Sequence, residues 1–375
     1  MKAAFITRLR LTDFRGYGAL DLDLDARPVV IFGPNGAGKT NILEAISFLA
    51  PGKGLRSADT ESVVRQSADH TAPAWGVFAE ASGARGALTL AAGARLGARR
   101  ETRLDGSPVS RAALAKAFPM LALQPEEDRL FAGPRAERLK FFDTLVGASQ
   151  PSHGDSLAAY DKLRRQRQRV LEDGRRDLDW LHALETDMAA HGVAIAATRL
   201  DALARLQGEI DVAPESAFPK AALALDGATE ADLAAGLGSS DAEDALQDRL
   251  LAGRDRDAAS GRSLSQGPHR TDLTARHTGK DRPAGECSTG EQKALVVRLA
   301  LAQARVLART MGAAPLLLLD EACAHLDADR RAGLADAITD LGAQAWLTGV
   351  ERSLFETFDG TAQMFEVDTA TVRPG

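Results

Sequence analysis

Near the N-terminus apolar and polar positions alternate. Leu20, Leu22 and Leu24 are separated by aspartates, which is the pattern of a strand with one wet face. The pattern then closes up into Pro28-Val29-Val30-Ile31-Phe32, a continuous apolar run that predicts a buried strand. A glycine-rich turn from Gly33 to Gly38 follows, and beyond Lys39-Thr40 the apolar residues Ile42, Leu43 and Ile46 recur at helical spacing. The order is strand, loop, helix. Residues 75–104 predict short strands with glycine turns, for example Trp75–Ala79 and Ala87–Leu90.

From about Glu126 the texture becomes helical. Pro134 opens a segment with Leu139, Phe142 and Leu145 on one stripe, and further helical patterns cover Leu157–Arg169 and Leu178–Leu206. Residues 211–267, rich in Ala, Gly, Asp and Ser and broken by Pro214 and Pro219, read as short helices joined by loops. The last block predicts a helix from about Gly290 to Arg309, an apolar strand Leu316–Leu319, a helix around Arg330–Leu341, and short strands near Trp346 and Phe365.

Composition narrows the classes without naming a function. The 375 residues are 45% hydrophobic and 26% charged, with a formal net charge of −6, so no overall cationic field draws in nucleic acid, and any DNA contact has to be local. No apolar run approaches the roughly 20 residues that cross a bilayer, and no signal-peptide core is present at the N-terminus; the expectation is a cytoplasmic protein without a membrane partner. Two cysteines, Cys287 and Cys323, do not make a disulfide framework.

Chemistry enters with Gly33-Pro34-Asn35-Gly36-Ala37-Gly38-Lys39-Thr40, which fits G-x-x-x-x-G-K-[ST] between a buried strand and a helix N-terminus. Its glycines let backbone N–H groups converge on a phosphate, the helix dipole favours negative charge, Lys39 reaches the outer phosphate oxygens, and the Thr40 hydroxyl can ligate Mg2+. Far down the chain, Leu316–Leu319 runs into Asp320-Glu321 at the C-terminal end of a predicted parallel strand, where open α/β sheets bind ligands. Asp320 is the candidate Mg2+ holder, and Glu321 the candidate base for an attacking water.

Two further elements resemble the signature motif and D-loop of ABC ATPases: Ser288-Thr289-Gly290-Glu291, which opens a long amphipathic helix, and Ala324-His325-Leu326-Asp327 after the acidic pair. Ser288 and Gly290 sit at a helix N-terminus suited to a γ-phosphate, although the same residues also make an ordinary cap. In the ABC class the signature faces a second subunit, so this resemblance implies an ATP-sandwiched homodimer in which Ser288, Gly290 and Asp327 help to hold nucleotide. About 250 positions separate Lys39 from Ser288, and their helical pattern lacks sustained heptads, which favours a short arm over a rod.

Phe14-Arg15-Gly16-Tyr17, Asn41-Ile42-Leu43-Glu44-Ala45-Ile46, Gly267-Pro268-His269-Arg270-Thr271-Asp272-Leu273, Gly290-Glu291-Gln292-Lys293-Ala294-Leu295 and the segments around Asp320 and Asp327 together resemble the RecF family of DNA replication and repair proteins. The resemblance runs from Leu9 to about Gly349 and is weakest between about 211 and 262. It implies an α/β fold with an ABC-type P-loop ATPase head, a mixed sheet with flanking helices, joined to a largely helical second lobe with a short arm. Residues 1–123 and 308–375 would form the two parts of the ATPase lobe, and 124–307 the helical lobe, including the helix opened by Ser288.

The resemblance further implies a slow, DNA-stimulated ATPase with ATP and Mg2+ as cofactors. Such a protein dimerises on ATP, binds ssDNA and gapped or junction dsDNA, and works with RecO and RecR in loading RecA, with a place in the SOS response. Several residues remain open at this point. Gln124 is either a sensor of Mg2+ or a capping glutamine, and Thr348 stands where many ABC proteins carry a γ-phosphate histidine. The Gly267–Arg270 segment is either a loop near the ATP or DNA face or a plain structural turn. For DNA, Lys162, Arg165 and Arg169 share one helical face, with Arg56, Arg65 and Arg15 as alternatives; no aromatic platform accompanies them. The contrasting reading is the nucleotide-binding subunit of an ABC membrane transporter. The Phe-Arg-Gly-Tyr entry, the long insertion and the Gly-Pro-His-Arg run speak against it.

Overall fold

A computed structural model describes residues 2–52, 54–56, 58–67, 70–173 and 177–375. The chain divides into two units: one comprises residues 1–129, 213–219 and 288–375, the other 130–212 and 220–287.

The first unit is built on two six-stranded sheets. One runs in the order Met120–Leu123, Leu316–Leu319, Ala345–Gly349, Val29–Phe32, Gln363–Asp368, Thr371–Pro374. The first five strands are parallel and the last returns antiparallel, so the sheet is mixed, as expected. Its central strands are apolar throughout because both faces are covered: Val29–Phe32, Leu316–Leu319 and Ala345–Gly349 are buried at every position. The other sheet is antiparallel and orders Ser107–Pro108, Glu101–Leu104, Gly86–Arg95, Ala74–Gly83, Phe5–Phe14, Tyr17–Asp23. There burial alternates along Ala74–Gly83, the period of a strand with one face on the core. The core holds Leu9, Phe14, Ile31, Ile46, Leu316 and Trp346, with Phe14 edge-on to Phe48 and Trp75, which pack against each other at a tilt.

The helix Thr289–Met311 belongs to this first unit, which corrects the division that assigned residues up to 307 to a helical lobe. The physical reason is its burial. Val297, Ala300 and Leu301 line an apolar seam with Leu121, Leu123, Leu317 and Leu319, so the helix is a layer on the sheet. The segment 213–219 also returns to the first unit, where the buried Arg298 donates to the Phe218 carbonyl and the Ser216 hydroxyl.

The second unit is mostly helical. Ser152–Glu172 and Leu178–Val212 pack against each other, and at 1.5 Å per residue the second, 35 residues long, reaches roughly 50 Å, the short arm expected from the sequence. Its interior carries charge as well as hydrocarbon: Tyr160, Met188, Val193 and Leu246 pack together, while Arg167 and Arg199 are buried in carboxylate cages. Between 211 and 267 the helices Ala228–Ala234, Ser239–Ala252 and Arg254–Ser260 appear as expected, but Ala221–Asp226 is a strand, paired antiparallel with Asp272–His277. Among the described residues no helix is long and apolar enough to cross a membrane.

Candidate nucleotide site

The phosphate loop connects the buried strand Val29–Phe32 to the helix Lys39–Ser47. Two glycines are imposed by space as well as by conformation. Gly33 has φ 148°, and a Cβ there would lie 2.1 Å from the Val367 carbonyl oxygen; Gly38, with φ 110°, would meet the Tyr17 hydroxyl at 2.9 Å. Tyr17 in turn donates to the Gly38 carbonyl at 3.1 Å, and Arg15 clamps the fully buried Glu44 of the following helix through two hydrogen bonds of 2.8 and 2.9 Å. The Phe-Arg-Gly-Tyr turn is therefore a buttress of the phosphate loop. Arg15, read as an alternative DNA contact, is committed to Glu44 and to the Ser62 carbonyl.

Lys39 is buried, and its ammonium donates to the carbonyls of Gly33 and Pro34 at 2.7 and 2.8 Å. Burial pulls it below its ordinary value, opposed by the charges of Glu321 and Asp320. Across from it, both the Thr40 hydroxyl (3.1 Å) and the Thr348 hydroxyl (2.6 Å) donate to the same oxygen of Asp320. Burial, with a contribution from Glu321, raises the Asp320 carboxyl above its usual range despite these two hydroxyls. The neighbouring strand brings a third residue to the site. Leu123 is in register with Leu319 and its carbonyl accepts the Asp320 N–H at 3.0 Å, which sets Gln124 beside the acidic pair. The turn after Gln124 is capped by Glu127, whose carboxylate accepts the Gln124 N–H at 2.9 Å, so the glutamine side chain is not the cap.

Glu321 holds a left-handed backbone at φ 51°, a conformation that costs a non-glycine residue of order 1 kcal/mol or more. Both sides of the strain are pinned. Its N–H donates to Thr348 Oγ1 at 2.9 Å, and its carbonyl accepts from the buried Lys293 at 3.0 Å, which also pairs with Asp128 at 2.9 Å. Thr348, fully buried, is thus engaged with Asp320 and Glu321 and aligns the acidic pair; its hydroxyl does not stand free in the manner of a γ-phosphate ligand.

The signature residues lie at the exposed start of Thr289–Met311. Ser288 donates its N–H and its hydroxyl to the Glu291 carboxylate at 3.0 and 2.9 Å, a self-contained cap. Asp327 caps the helix Ala328–Leu341 by accepting the Arg330 N–H at 2.8 Å, and the Arg330 guanidinium reaches the Gly290 carbonyl at 3.4 Å, which ties Asp327 to the signature. Both cysteines are buried, and burial pushes the Cys323 thiol up to about 12, which leaves it without thiolate reactivity at neutral pH.

The basic residues read as DNA contacts do not form one described cluster. Lys162, Arg165 and Arg169 are exposed on Ser152–Glu172, with Arg165 paired to Asp161 at 3.0 Å. Arg56 is exposed and close enough to Asp320 to lower its carboxyl pKa, while Arg65 pairs with Asp13 at 3.7 Å and covers Gly18.

With this geometry, the comparisons with known proteins agree over the whole chain. The family model described as "RecF/RecN/SMC N terminal domain" matches residues 5–373. The DNA replication and repair protein RecF of Caulobacter sp. (strain K31) is 46% identical over 96% of this chain and 96% of its own length. That of Mesorhizobium japonicum is 43% identical over 98% and 97%. The chain belongs to the RecF family. A solved structure described as the recombination mediator protein RecF-ATPrS in the RecFOR pathway has the same fold, with TM-score 0.85 and 19% identity over 100% of this chain and 98% of that one. The Smc head of Pyrococcus furiosus is a more distant match, TM-score 0.56 at 16% identity over 99% and 95%.

Within this RecF-family site, motif reading found the acidic pair and the loop but not Lys293, Asp128 or the alignment by Thr348. The only sequence signal for Thr348 was a missing histidine. Thr348→Val keeps the volume but removes a donor to Asp320 and an acceptor for the Glu321 N–H. Its ATPase rate is expected to fall about tenfold, with a raised Mg2+ requirement, while Thr348→Ser stays near wild type. Steady-state ATPase at a series of Mg2+ concentrations checks this; equal rates for Thr348→Val and wild type would remove Thr348 from the site.

Proposed function

We propose that the chain binds and hydrolyses ATP with Mg2+ and acts as an ATP-gated DNA clamp in recombinational repair. The observation that carries this reading is the cluster at the mouth of the phosphate loop: one Asp320 oxygen shared by Thr40 and Thr348, with Glu321 next in the chain. Among the described residues no cluster of three or more His, Cys, Asp and Glu could hold a metal alone. That suits Mg2+, which takes one or two protein oxygens and completes its shell with phosphates and water. Thr40 and Asp320 would hold it, and it would neutralise charge on the phosphates.

The chain's own groups do the rest. The loop N–H groups between Asn35 and Lys39 and the helix N-terminus donate to phosphate oxygens, and Lys39 exchanges its two carbonyl acceptors for them. Gln124, next to Asp320 in the sheet, would hydrogen-bond water at the site, and Glu321 accepts a proton from the attacking water. Ser288, Gly290 and Asp327 reach the nucleotide of a second subunit, so ATP closes a homodimer and its hydrolysis, slow in a clamp, opens it. DNA is held through phosphates by Lys162, Arg165 and Arg169, with Arg56 and Arg65 contributing; single strands and gapped or junction duplexes are the substrates. The RecF relatives and the RecFOR structure support RecO and RecR as partners in loading RecA. With a formal net charge of −6, tight DNA binding requires two assembled heads. The family match over nearly the full length disfavours the transporter alternative.

The test compares dimerisation, by light scattering with and without ATP, and nucleotide binding for Lys39→Met and Ser288→Arg. Lys39→Met is expected to lose both. Ser288→Arg is expected to block the dimer yet keep monomer binding; equal loss of both by Ser288→Arg would make Ser288 a local cap only.

A further inference from the structure

The second unit contains a cavity of about 500 Å3 for which the nucleotide site has no use. It is lined by Arg135, Arg164, Arg165, Arg262, Arg270 and His269, brought together from three separated stretches of chain. The Gly-Pro-His-Arg run supplies one wall. Gly267 has no room for a side chain, since a Cβ would meet the Tyr160 hydroxyl at 2.6 Å; the same hydroxyl bonds His269 Nδ1 at 2.9 Å, and Arg199 holds the Pro268 carbonyl at 2.7 Å. These contacts fix His269 and Arg270 at the cavity.

The positive charge there is poorly offset. Arg164 and Arg165 share one carboxylate, Asp161, while among the described residues Arg135, Arg262 and Arg270 form no ion pair. Nearby Asp272 is taken by both nitrogens of Arg138, and Asp257 by Arg167 and Ser265. Crowding is felt by the groups themselves: burial and then Arg270 lower the Arg135 guanidinium, and burial and then Arg164 bring His269 down to about 4, so it is neutral at physiological pH.

Three lining residues also carry buried polar atoms without a partner: Arg270 Nε, Ser263 Oγ and Gln168 Oε1. Buried polar atoms are ordinarily paired, so these ask for a ligand. Arg270 Nε and the arginine forks need acceptors, which phosphate oxygens supply bidentately. The Gln168 amide nitrogen already donates to Glu172 and to the Asp257 carbonyl at 2.8 and 3.1 Å, so its oxygen faces the other way and needs a donor, such as a sugar hydroxyl or a base amine.

We propose that this cavity is a second, separate site for a nucleotide phosphomonoester, either free or as the phosphorylated end of a DNA strand. The phosphate sits among Arg135, Arg262 and Arg270 and the nucleoside donor meets Gln168. An extended acidic peptide would present flexible carboxylates in place of a compact phosphate fork, and poly-glutamate is the competitor that distinguishes it.

The experiment uses the full-length chain without ATP or Mg2+, carrying Lys39→Met so that the phosphate loop is silent; its outcome is independent of the ATPase reading. Fluorescence anisotropy compares a short single strand with a 5′-phosphate and the same strand with a 5′-hydroxyl, and dAMP, pyrophosphate and poly-glutamate serve as competitors. The phosphorylated strand is expected to bind about tenfold more tightly than the hydroxyl strand, or dAMP to bind in its place if the source is a free nucleotide. Arg262→Gln, an exposed change that leaves the fold alone, and Arg270→Gln are expected to erase the preference. Gln168→Leu should weaken dAMP and spare pyrophosphate. Equal binding of both strands with no binding of dAMP or pyrophosphate would overturn the proposal, and so would competition by poly-glutamate as strong as that by dAMP.

Discussion

Glu321→Gln is expected to keep ATP binding and to lower the hydrolysis rate by about two to four orders of magnitude, the usual contribution of a positioned general base. The substitution is nearly isosteric, and the strained backbone at φ 51° is held by Thr348 and Lys293 through main-chain atoms that remain. What disappears is a proton acceptor and one negative charge. Glu321 helps to raise the Asp320 carboxyl, so removing its charge lets Asp320 ionise more readily and the metal side of the site is not weakened. Glu321 also supports the charge on Lys39, but burial, the larger influence there, is unchanged. The variant should therefore accumulate ATP-bound dimers on gapped DNA where the wild type turns over. Single-turnover hydrolysis together with retention on gapped DNA reads both effects, and hydrolysis at the wild-type rate would mean that another group activates the water.

Motif and periodicity reach this site unevenly, for physical reasons. The strand–loop–helix at Val29–Ser47 and the strand ending at Asp320 are legible because buried strands and a glycine turn leave dense local signals. Ala221–Asp226 was missed because its alanines carry little strand preference, and it is a strand chiefly through pairing with Asp272–His277, some 50 residues away. The division of the chain was misplaced for a similar reason: a helix declares its apolar face but not what covers it, and Thr289–Met311 is covered by the strands around Leu121 and Leu317. Least legible of all is the arginine run 162–169. From the sequence, Lys162, Arg165 and Arg169 share one basic face, yet the structure sends the members of the run to three fates: Lys162 and Arg169 to solvent, Arg164 and Arg165 to the cavity, and Arg167 to the interior.

Arg167 is where the largest loss of stability is expected. Fully buried, it donates to Glu185 at 2.8 Å, to Asp257 at 2.6 Å and to the Leu250 carbonyl at 2.7 Å, joining its own helix to three others of the second unit. Among the described residues, Arg167→Ala leaves Glu185 with Arg254 alone and strips Asp257 of its cationic partner, so the unit should lose about 3–5 kcal/mol. At roughly 2–4 °C per kcal/mol, its melting transition falls by about 10 °C or more. Arg165→Ala, two residues before Arg167 and paired to Asp161 at the surface, should cost under about 1 kcal/mol. The pH dependence has a definite sign. Burial pushes the Asp257 carboxyl up, but hydrogen bonds from Ser265 and Arg167 outweigh it and hold the group below its ordinary 3.8. A lowered folded-state value gives stability that is complete above the unfolded value and is lost as pH falls through the folded one. Without Arg167 the Asp257 carboxyl rises, and protonation then relieves the stranded charge. The deficit of Arg167→Ala should thus be greatest at pH 7 and shrink as pH is brought down towards 4. Thermal melts of both proteins across that range decide it: a constant deficit would mean lost packing alone, and melting within about 1 °C of wild type at pH 7 would mean that the cage does not hold these helices together.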